Sequence, residues 1–399
     1  MAALAAALAA GCDDPPQNAL LSCDQDVRVL PAQTDILFVV DDSRSMAEEQ
    51  DNLRQNLAAF VAALAASPVP NDFRFGVTTT DVHGSYAMTP AFSTTVPPFD
   101  TFGYEVPYAQ GTIVSIVPGA LTDDALRGKP IYDQAHGYLV PGAPRYLATS
   151  QVQQFENNVL VGTVGSGKEE PLRAAELALG DRIADGSNAG FLRPGARLGL
   201  VFLTDEDDCS ERAPSAGPLV ANDSTQCHDP SIKDDLLAPA DFVRFIDGPI
   251  AGEERRPVVA VIAGFDTATL APTGCATSFD DPTRLAGLLD ILGEERSFRG
   301  SICDASFGPS LERIADLLVP QTVPIDGAPP DHRMLVVAVR QREGSTVRCP
   351  VAPFGTPEAA GAGAVYAPPQ EGRAATLTFQ GQCQLRSGDQ MELRIACAR

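Results

Sequence analysis

The sequence is short of the residues from which many active sites are built. Its 399 residues include only four histidines, His83, His136, His228 and His332, spread far apart in loop-like stretches. A serine nucleophile needs a general base beside it, so this distribution disfavours that chemistry. No Cys-x-x-Cys pair occurs among the nine cysteines, which removes the main signal for zinc ribbons and thioredoxin-like redox sites. Basic residues are scarce as well. There are 29 Lys and Arg against 52 Asp and Glu, a formal charge of -23, and no basic run offsets it. Such a chain repels nucleic acid and anionic membrane surfaces. The acidity itself reads as a solubility device for a variable or salty milieu.

What is present starts with a hydrophobic content of 44%, enough to fill the core of one large domain and a smaller one. The opening "MAALAAALAAGC" is an Ala/Leu run too short to span a bilayer. It lacks a basic start and closes on Ala9-Ala10-Gly11-Cys12. It resembles the lipobox of bacterial lipoproteins, which implies a lipid on Cys12, a cell-envelope or extracellular location, and membrane attachment through that lipid alone. Setting Cys12 aside leaves Cys23, Cys209, Cys227, Cys275, Cys303, Cys349, Cys383 and Cys397. An even count in an exported chain points to disulfides. Proximity favours Cys209 with Cys227 and Cys275 with Cys303, leaving Cys23 to join one of the three C-terminal cysteines.

Residues 1–31 read as a signal remnant and polar spacer. From there strand-like and helix-like segments alternate. "ILFVV", Ile36 to Val40, is a continuous apolar run, followed by a helix with Leu53, Leu57, Phe60, Val61 and Leu64 on one face. "FRFGVTTT", "LGLVFLTD", "PVVAVIAGF" and "RGSIC" read as further strands. Helices are expected around 171–179, 239–246, 283–292 and 309–318. Continuous apolar strands alternating with amphipathic helices predict an α/β, doubly wound, mostly parallel sheet over residues 32–320. Insertions are expected at about 81–144, 206–233 and 264–282. "QTVPIDGAPPD", 321–331, reads as a linker because of its prolines and glycine. Residues 332–399 read as a small, disulfide-braced all-β module, with "CQLRSGDQMELRIAC" as strand, turn, strand.

In an open parallel sheet, ligands gather beyond the carboxyl ends of the strands. After the first strand comes Asp41-Asp42-Ser43-Arg44-Ser45, and alternation turns Asp41, Ser43 and Ser45 one way while Asp42 and Arg44 face elsewhere. After "LVFLT" comes Asp205. Between them lies the glycine-rich "VGTVGSGKEE".

These motifs resemble the von Willebrand factor A (vWA) family and its metal-ion-dependent adhesion site over most of residues 32–320. The resemblance implies direct binding of a divalent metal by Ser43 and Ser45 with Asp41 close by. It places Ser166 where the family has threonine, with Thr163 as the alternate, and Asp205 reached directly or through water. The chemistry of the residues agrees, because an all-oxygen donor set suits Mg²⁺, Ca²⁺ or Mn²⁺. An electron-poor metal with an open position would accept a carboxylate from a protein partner. The expectation is therefore a non-catalytic binding protein for adhesion or envelope assembly.

Two other readings compete, a metal-dependent hydrolase using Asp207 or Asp208 and a structural envelope component stabilised by metal. These two carboxylates read more simply as solvated loop charges. "GTVGSGK" fits Gly-x-x-x-x-Gly-Lys, but Glu169 stands where a nucleotide site needs Ser or Thr.

Overall fold

The structure is a computed structural model. It describes residues 25–80, 82, 116–117, 131–133, 137–139, 147–161, 163, 167–186, 188–212, 227–327, 329 and 331–396. Cys12, Cys23, Cys397, Ser166 and most of the expected 81–144 insertion lie outside these residues.

The chain forms a mixed α/β architecture with a mostly parallel sheet and separate all-β sheets. We number the elements that matter here in chain order. They are β1 Ala32–Val40, α1 Ala47–Ala65, β2 Asn71–Thr79, α2 Val152–Asn158 and α3 Pro171–Leu179. There follow β3 Arg197–Leu203, α4 Pro239–Asp247, β4 Val258–Ala263, α5 Thr283–Leu292, β5 Ser297–Ser301 and α6 Gly308–Leu318. The main sheet has the order β5, β4, β3, β1, β2, all parallel, and closes with the antiparallel strand Leu147–Ala148.

The run Ile36 to Val40 is continuous because both faces of β1 are covered. Ile36, Phe38 and Val40 enter one core with Leu53, Leu57 and Phe60 of α1 and Leu311 and Ile314 of α6. Leu37 and Val39 enter a second core with Leu172 of α3, Phe242 of α4 and Leu285 of α5. Alternation along a strand sends neighbours to opposite faces, so the stretch of β1 that lies between the two cores, Ile36 to Val40, is apolar throughout. The expected face of α1 matches: Leu53, Leu57, Phe60, Val61 and Leu64 are all buried.

Past α6 lie β6 Thr322–Asp326, β7 Leu335–Arg340, β8 Thr346–Arg348, β9 Val351–Pro353, β10 Ala364–Ala367, β11 Ala375–Phe379 and β12 Gln390–Ile395. They form two sheets around one core that includes Val323, Val337, Leu377, Phe379 and Leu393. Three expectations need correction here. The supposed linker contains β6, which pairs with β11. Pro324 is tolerated because it needs only to accept there, from Leu30 N at 2.9 Å. The supposed spacer is ordered as well: Gln25–Asp26 pairs with β12, and Arg28–Val29 pairs with β6. The first half of the expected C-terminal hairpin is a 3-10 turn at Gly381–Cys383 followed by loop, and only β12 is strand.

The two parts meet through specific bonds. Ser387 N donates to Asp316 Oδ1 of α6 at 3.0 Å, and Gly388 N donates to Ala66 O, just past α1, at 3.0 Å.

Cys209–Cys227, Cys275–Cys303 and Cys349–Cys383 are disulfide-bonded. Three bridges fit a chain that folds in an oxidising, extracytoplasmic compartment. Among the described residues no helix is long and apolar enough to cross a membrane. The three bridges leave Cys12, Cys23 and Cys397, and with Cys12 set aside as the expected lipid site Cys397 is the C-terminal cysteine that remains for Cys23. The described register sets Gln25 against Ile395, two positions in sequence from each of those cysteines. Peptide mapping without reductant is expected to recover a Cys23–Cys397 pair, and a free thiol at either position would refute it.

Candidate metal centre

Strand register assembles the site. Val40 of β1 lies beside Thr79 of β2 and Leu203 of β3, so Asp41, Thr80 and Thr204 leave the sheet at one level. Asp41 is fully buried and held on several sides. Its Oδ1 accepts from Ser43 N at 2.7 Å, its Oδ2 accepts from Thr204 Oγ1 at 2.8 Å, and its own N donates to Leu203 O at 2.9 Å. Gln50 of α1 donates to the Asp41 carbonyl at 2.8 Å, which fixes the helix against the strand end. Ser43 and Ser45 place their hydroxyl oxygens 3.1 Å apart. Ser43 precedes a 3-10 turn at Arg44–Met46 but makes no side-chain cap, so helix capping does not account for its hydroxyl.

Asp205 joins the same edge. Its carboxyl interacts with Ser45 and Asp41, and its Oδ1 is buried with no hydrogen bond. Burial pushes Asp41 up to about 6, against hydrogen bonds from Ser43 and Thr204 that pull it back. Burial first and the neighbouring Asp41 second push Asp205 up to about 7. A buried carboxylate pair avoids like-charge repulsion by holding a proton or by meeting a cation.

The structure thus brings together Asp41, Ser43, Ser45 and Asp205. Thr163 lies half-buried in the glycine-rich loop, while Ser166 falls outside the described residues. Glu169, three residues on from Ser166, was not expected at the site. It is fully buried, its Oε2 accepts from Thr80 Oγ1, and its Oε1 has no hydrogen bond. Burial, then the charges of Asp41, Glu206 and Asp42, raise its carboxyl well above the usual range.

Asp42, expected to face away from Asp41, Ser43 and Ser45, is buried, as is Glu206, and both charges act on Glu169. The two loop aspartates need correction. Asp207 and Asp208 are not solvated charges but are fully buried. Asp208 pairs with Arg284 at 3.0 Å. Asp207 caps α5, accepting from Thr283 Oγ1 at 2.9 Å, Arg284 N at 2.8 Å and Leu285 N at 3.1 Å. Both carboxylates are occupied by structural donors, which weakens the hydrolase reading. Asp207→Ala is expected to cost about 2–4 kcal/mol in chemical denaturation by stranding those donors, with Asp207→Asn losing clearly less.

Past the glycine-rich stretch, Lys168 to Glu170 are held by ion pairs and hydrogen bonds to the segment after β3. Lys168 is buried against Glu211 and lies 3.6 Å from Glu170. Glu170 Oε1 accepts from Glu211 N at 3.0 Å, and Glu169 O accepts from Cys209 N at 2.7 Å. The lysine that a nucleotide site would turn toward phosphate is spent on this internal pairing.

The donor set fits a hard divalent ion. Asp205 Oδ1 and Glu169 Oε1 are buried oxygens without hydrogen bonds, and Asp41, Ser43, Ser45 and Asp205 offer only side-chain oxygens to an ion. Among the described residues no three His, Cys, Asp or Glu side chains converge as a ready-made metal cluster. An ion here would rest on the Asp41 and Asp205 carboxylates together with the Ser43 and Ser45 hydroxyls.

No family model and no curated protein matches the chain. Among solved structures, it is similar to proximal thread matrix protein 1 from the mussel byssus, at 10% identity and TM-score 0.33, covering 82% of this chain and 52% of that one. It is also similar to the pilus adhesin SpaC from Lactobacillus rhamnosus GG in its open conformation, at 12% identity and TM-score 0.33, covering 94% and 39%. A third is the human COPII-coat protein Sec24c, at 10% identity and TM-score 0.31, covering 93% and 40%. The chain spans about half or less of the length of these structures, and likeness of this extent defines neither its family nor its function.

Proposed function

We propose that this is an exported, lipid-anchored protein of the vWA type, with a doubly wound main domain, that binds a protein partner non-catalytically through a divalent ion. The observation that carries the reading is the meeting of Asp41, Ser43, Ser45 and Asp205 at one sheet edge, with buried carboxylate oxygens lacking donors. Asp41 and Asp205 would supply charge and Ser43 and Ser45 neutral oxygens. A metal held this way keeps Lewis acidity for a partner's carboxylate. The three bridges support export, and Cys12 would carry the lipid.

Isothermal titration with Mg²⁺, Ca²⁺ and Mn²⁺ tests this reading. One saturable site is expected, and flat isotherms with all three ions would overturn it. A broad hydrolase screen with and without chelator addresses the catalytic alternative, for which metal-dependent turnover lost in Asp41→Ala would be decisive.

A further inference from the structure

A second polar feature lies beside the metal edge and is not used by it. A cavity of about 440 Å³ lies between the first half of α1 and the loop after β5. Its lining includes Glu48, Glu49, Asn52, Asn56, Asp304 and Ser306, and no Lys, Arg or His is among its lining residues.

Its amides are already committed to holding the walls. Asn52 Nδ2 donates to Asp304 O at 3.1 Å, Asn52 Oδ1 accepts from Phe307 N at 3.1 Å, and Asn56 Oδ1 accepts from Ser306 Oγ at 2.9 Å. The Cys275–Cys303 bridge pins the adjoining loop, and Thr277 N lies 3.1 Å from Cys303 Sγ. The walls are therefore preformed.

The carboxylates have no such role. Glu49 is 7% exposed, and its Oε2 is buried without a hydrogen bond. Leaving a buried carboxylate oxygen unpaired is costly, and the fold gains nothing visible in return. Glu48 and Asp304 have no cationic partner among the described residues either. Burial raises the Glu49 carboxyl, a hydrogen bond from its own backbone N–H opposes that, and the charges of Asp205 and Glu48 add to the rise, so the cavity adjoins the metal edge electrostatically. Acidity, preformed walls and a buried carboxylate oxygen, Glu49 Oε2, without a hydrogen bond together specify a cation with several N–H donors. The space is far larger than a single dehydrated metal ion fills, and it accommodates the end of a long side chain.

We infer that this groove receives an arginine or lysine side chain of the same partner segment whose carboxylate meets the metal. The inference rests on the proposed binding function for the identity of the partner, but the groove can be probed without it. A partner with both charges would also resolve an electrostatic conflict. A purely acidic partner is repelled by a chain of charge -23, whereas a cationic side chain beside the carboxylate steers the segment in.

Ethylguanidinium is the probe, followed by NMR chemical-shift titration of the whole protein, with ethylurea as the neutral isostere. Saturable millimolar binding is expected for ethylguanidinium and none for ethylurea. Glu49→Gln is expected to weaken binding at least 10-fold, and Asp304→Asn to weaken it less. The hydrogen bond that the Glu49 carboxylate accepts from its own backbone N–H can be kept by an amide oxygen, and the buried charge is removed, so Glu49→Gln should melt no lower than the parent. Binding should persist in chelator and in Asp41→Ala, which separates failure of the groove from failure of the metal centre. Equal binding in Glu49→Gln, or none in the parent, overturns the inference. So does displacement of ethylguanidinium by a second equivalent of divalent ion that Glu49→Gln abolishes, since the groove would then be a metal site.

Discussion

Asp41→Ala is expected to weaken divalent-ion binding by about 100-fold or more, beyond the roughly 10- to 100-fold typical of losing an outer-shell partner of a metal. The substitution removes one of the two carboxylates assigned to the ion and also the acceptor that orients Ser43 N and Thr204 Oγ1. The ligand hydroxyls would lose their mount as well as their charged neighbour. Two stranded donors each cost about 1–3 kcal/mol, while loss of a buried carboxylate relieves desolvation, so the effects on stability oppose one another. Asp41→Asn separates the contributions. It keeps an acceptor for Ser43 N and should melt close to the parent, yet it should still lose most of the metal affinity. Isothermal titration of both variants decides, and an unchanged metal isotherm in Asp41→Ala would sink the site assignment.

The metal-free protein should be more stable in mild acid than at pH 8. Asp41 and Asp205 are raised from 3.8 to about 6 and about 7, chiefly by burial, and Glu169 is raised well above 4.5. The folded chain therefore holds protons that the unfolded chain has released. Stability from this source is fully present below the unfolded values and is lost as pH rises through about 6 to 7. The loss should be on the order of 2 kcal/mol, visible as a Tm that falls between pH 5.5 and 8 in chelator. A divalent ion replaces those protons, so saturating Ca²⁺ or Mg²⁺ should flatten the dependence and raise Tm most at pH 8. Glu169→Gln should recover part of the loss at pH 8 in chelator, because its amide oxygen can still accept from Thr80. A Tm in chelator that rises with pH over this range would contradict the arrangement of buried carboxyls described here.

Much of the main sheet could be read from its residues. The unbroken Ile36 to Val40 run announces a strand covered on both faces, and a strand of that kind must deliver Asp41 to the sheet edge. The short spacing of Asp41, Ser43 and Ser45 made that part of the site legible, as did the position of Asp205 directly after an apolar strand. Asp42, Glu169, Glu206, Asp207 and Asp208 were not legible, because a carboxylate in a polar loop has the same local pattern whether solvent or a helix N-terminus meets it. Only the fold distinguishes them, through Thr80 for Glu169 and the backbone of α5 for Asp207. The N-terminal strands and β6 escaped detection for a different reason. Gln25 pairs with Ile395 and Val29 with Ile325, contacts too remote in sequence to leave a local periodicity, and Pro324 disguised β6 as a linker.

The pairing of residues 25–29 has a mechanical side. Gln25–Asp26 belongs to one sheet of the β module and Arg28–Val29 to the other, and β1 begins at Ala32. Tension applied ahead of Gln25 would enter the molecule through both β sheets before it reached β1. Pulling along β1 works against nine residue pairs with β2 and seven with β3, both strands running parallel to β1 and bonded to it across the line of pull. Those bonds would be strained together, in shear, instead of opening one after another like a zip. A tether on that side and a partner at the opposite end of β1 would therefore stretch the molecule along its stiffest line, and Asp41 sits where that line ends.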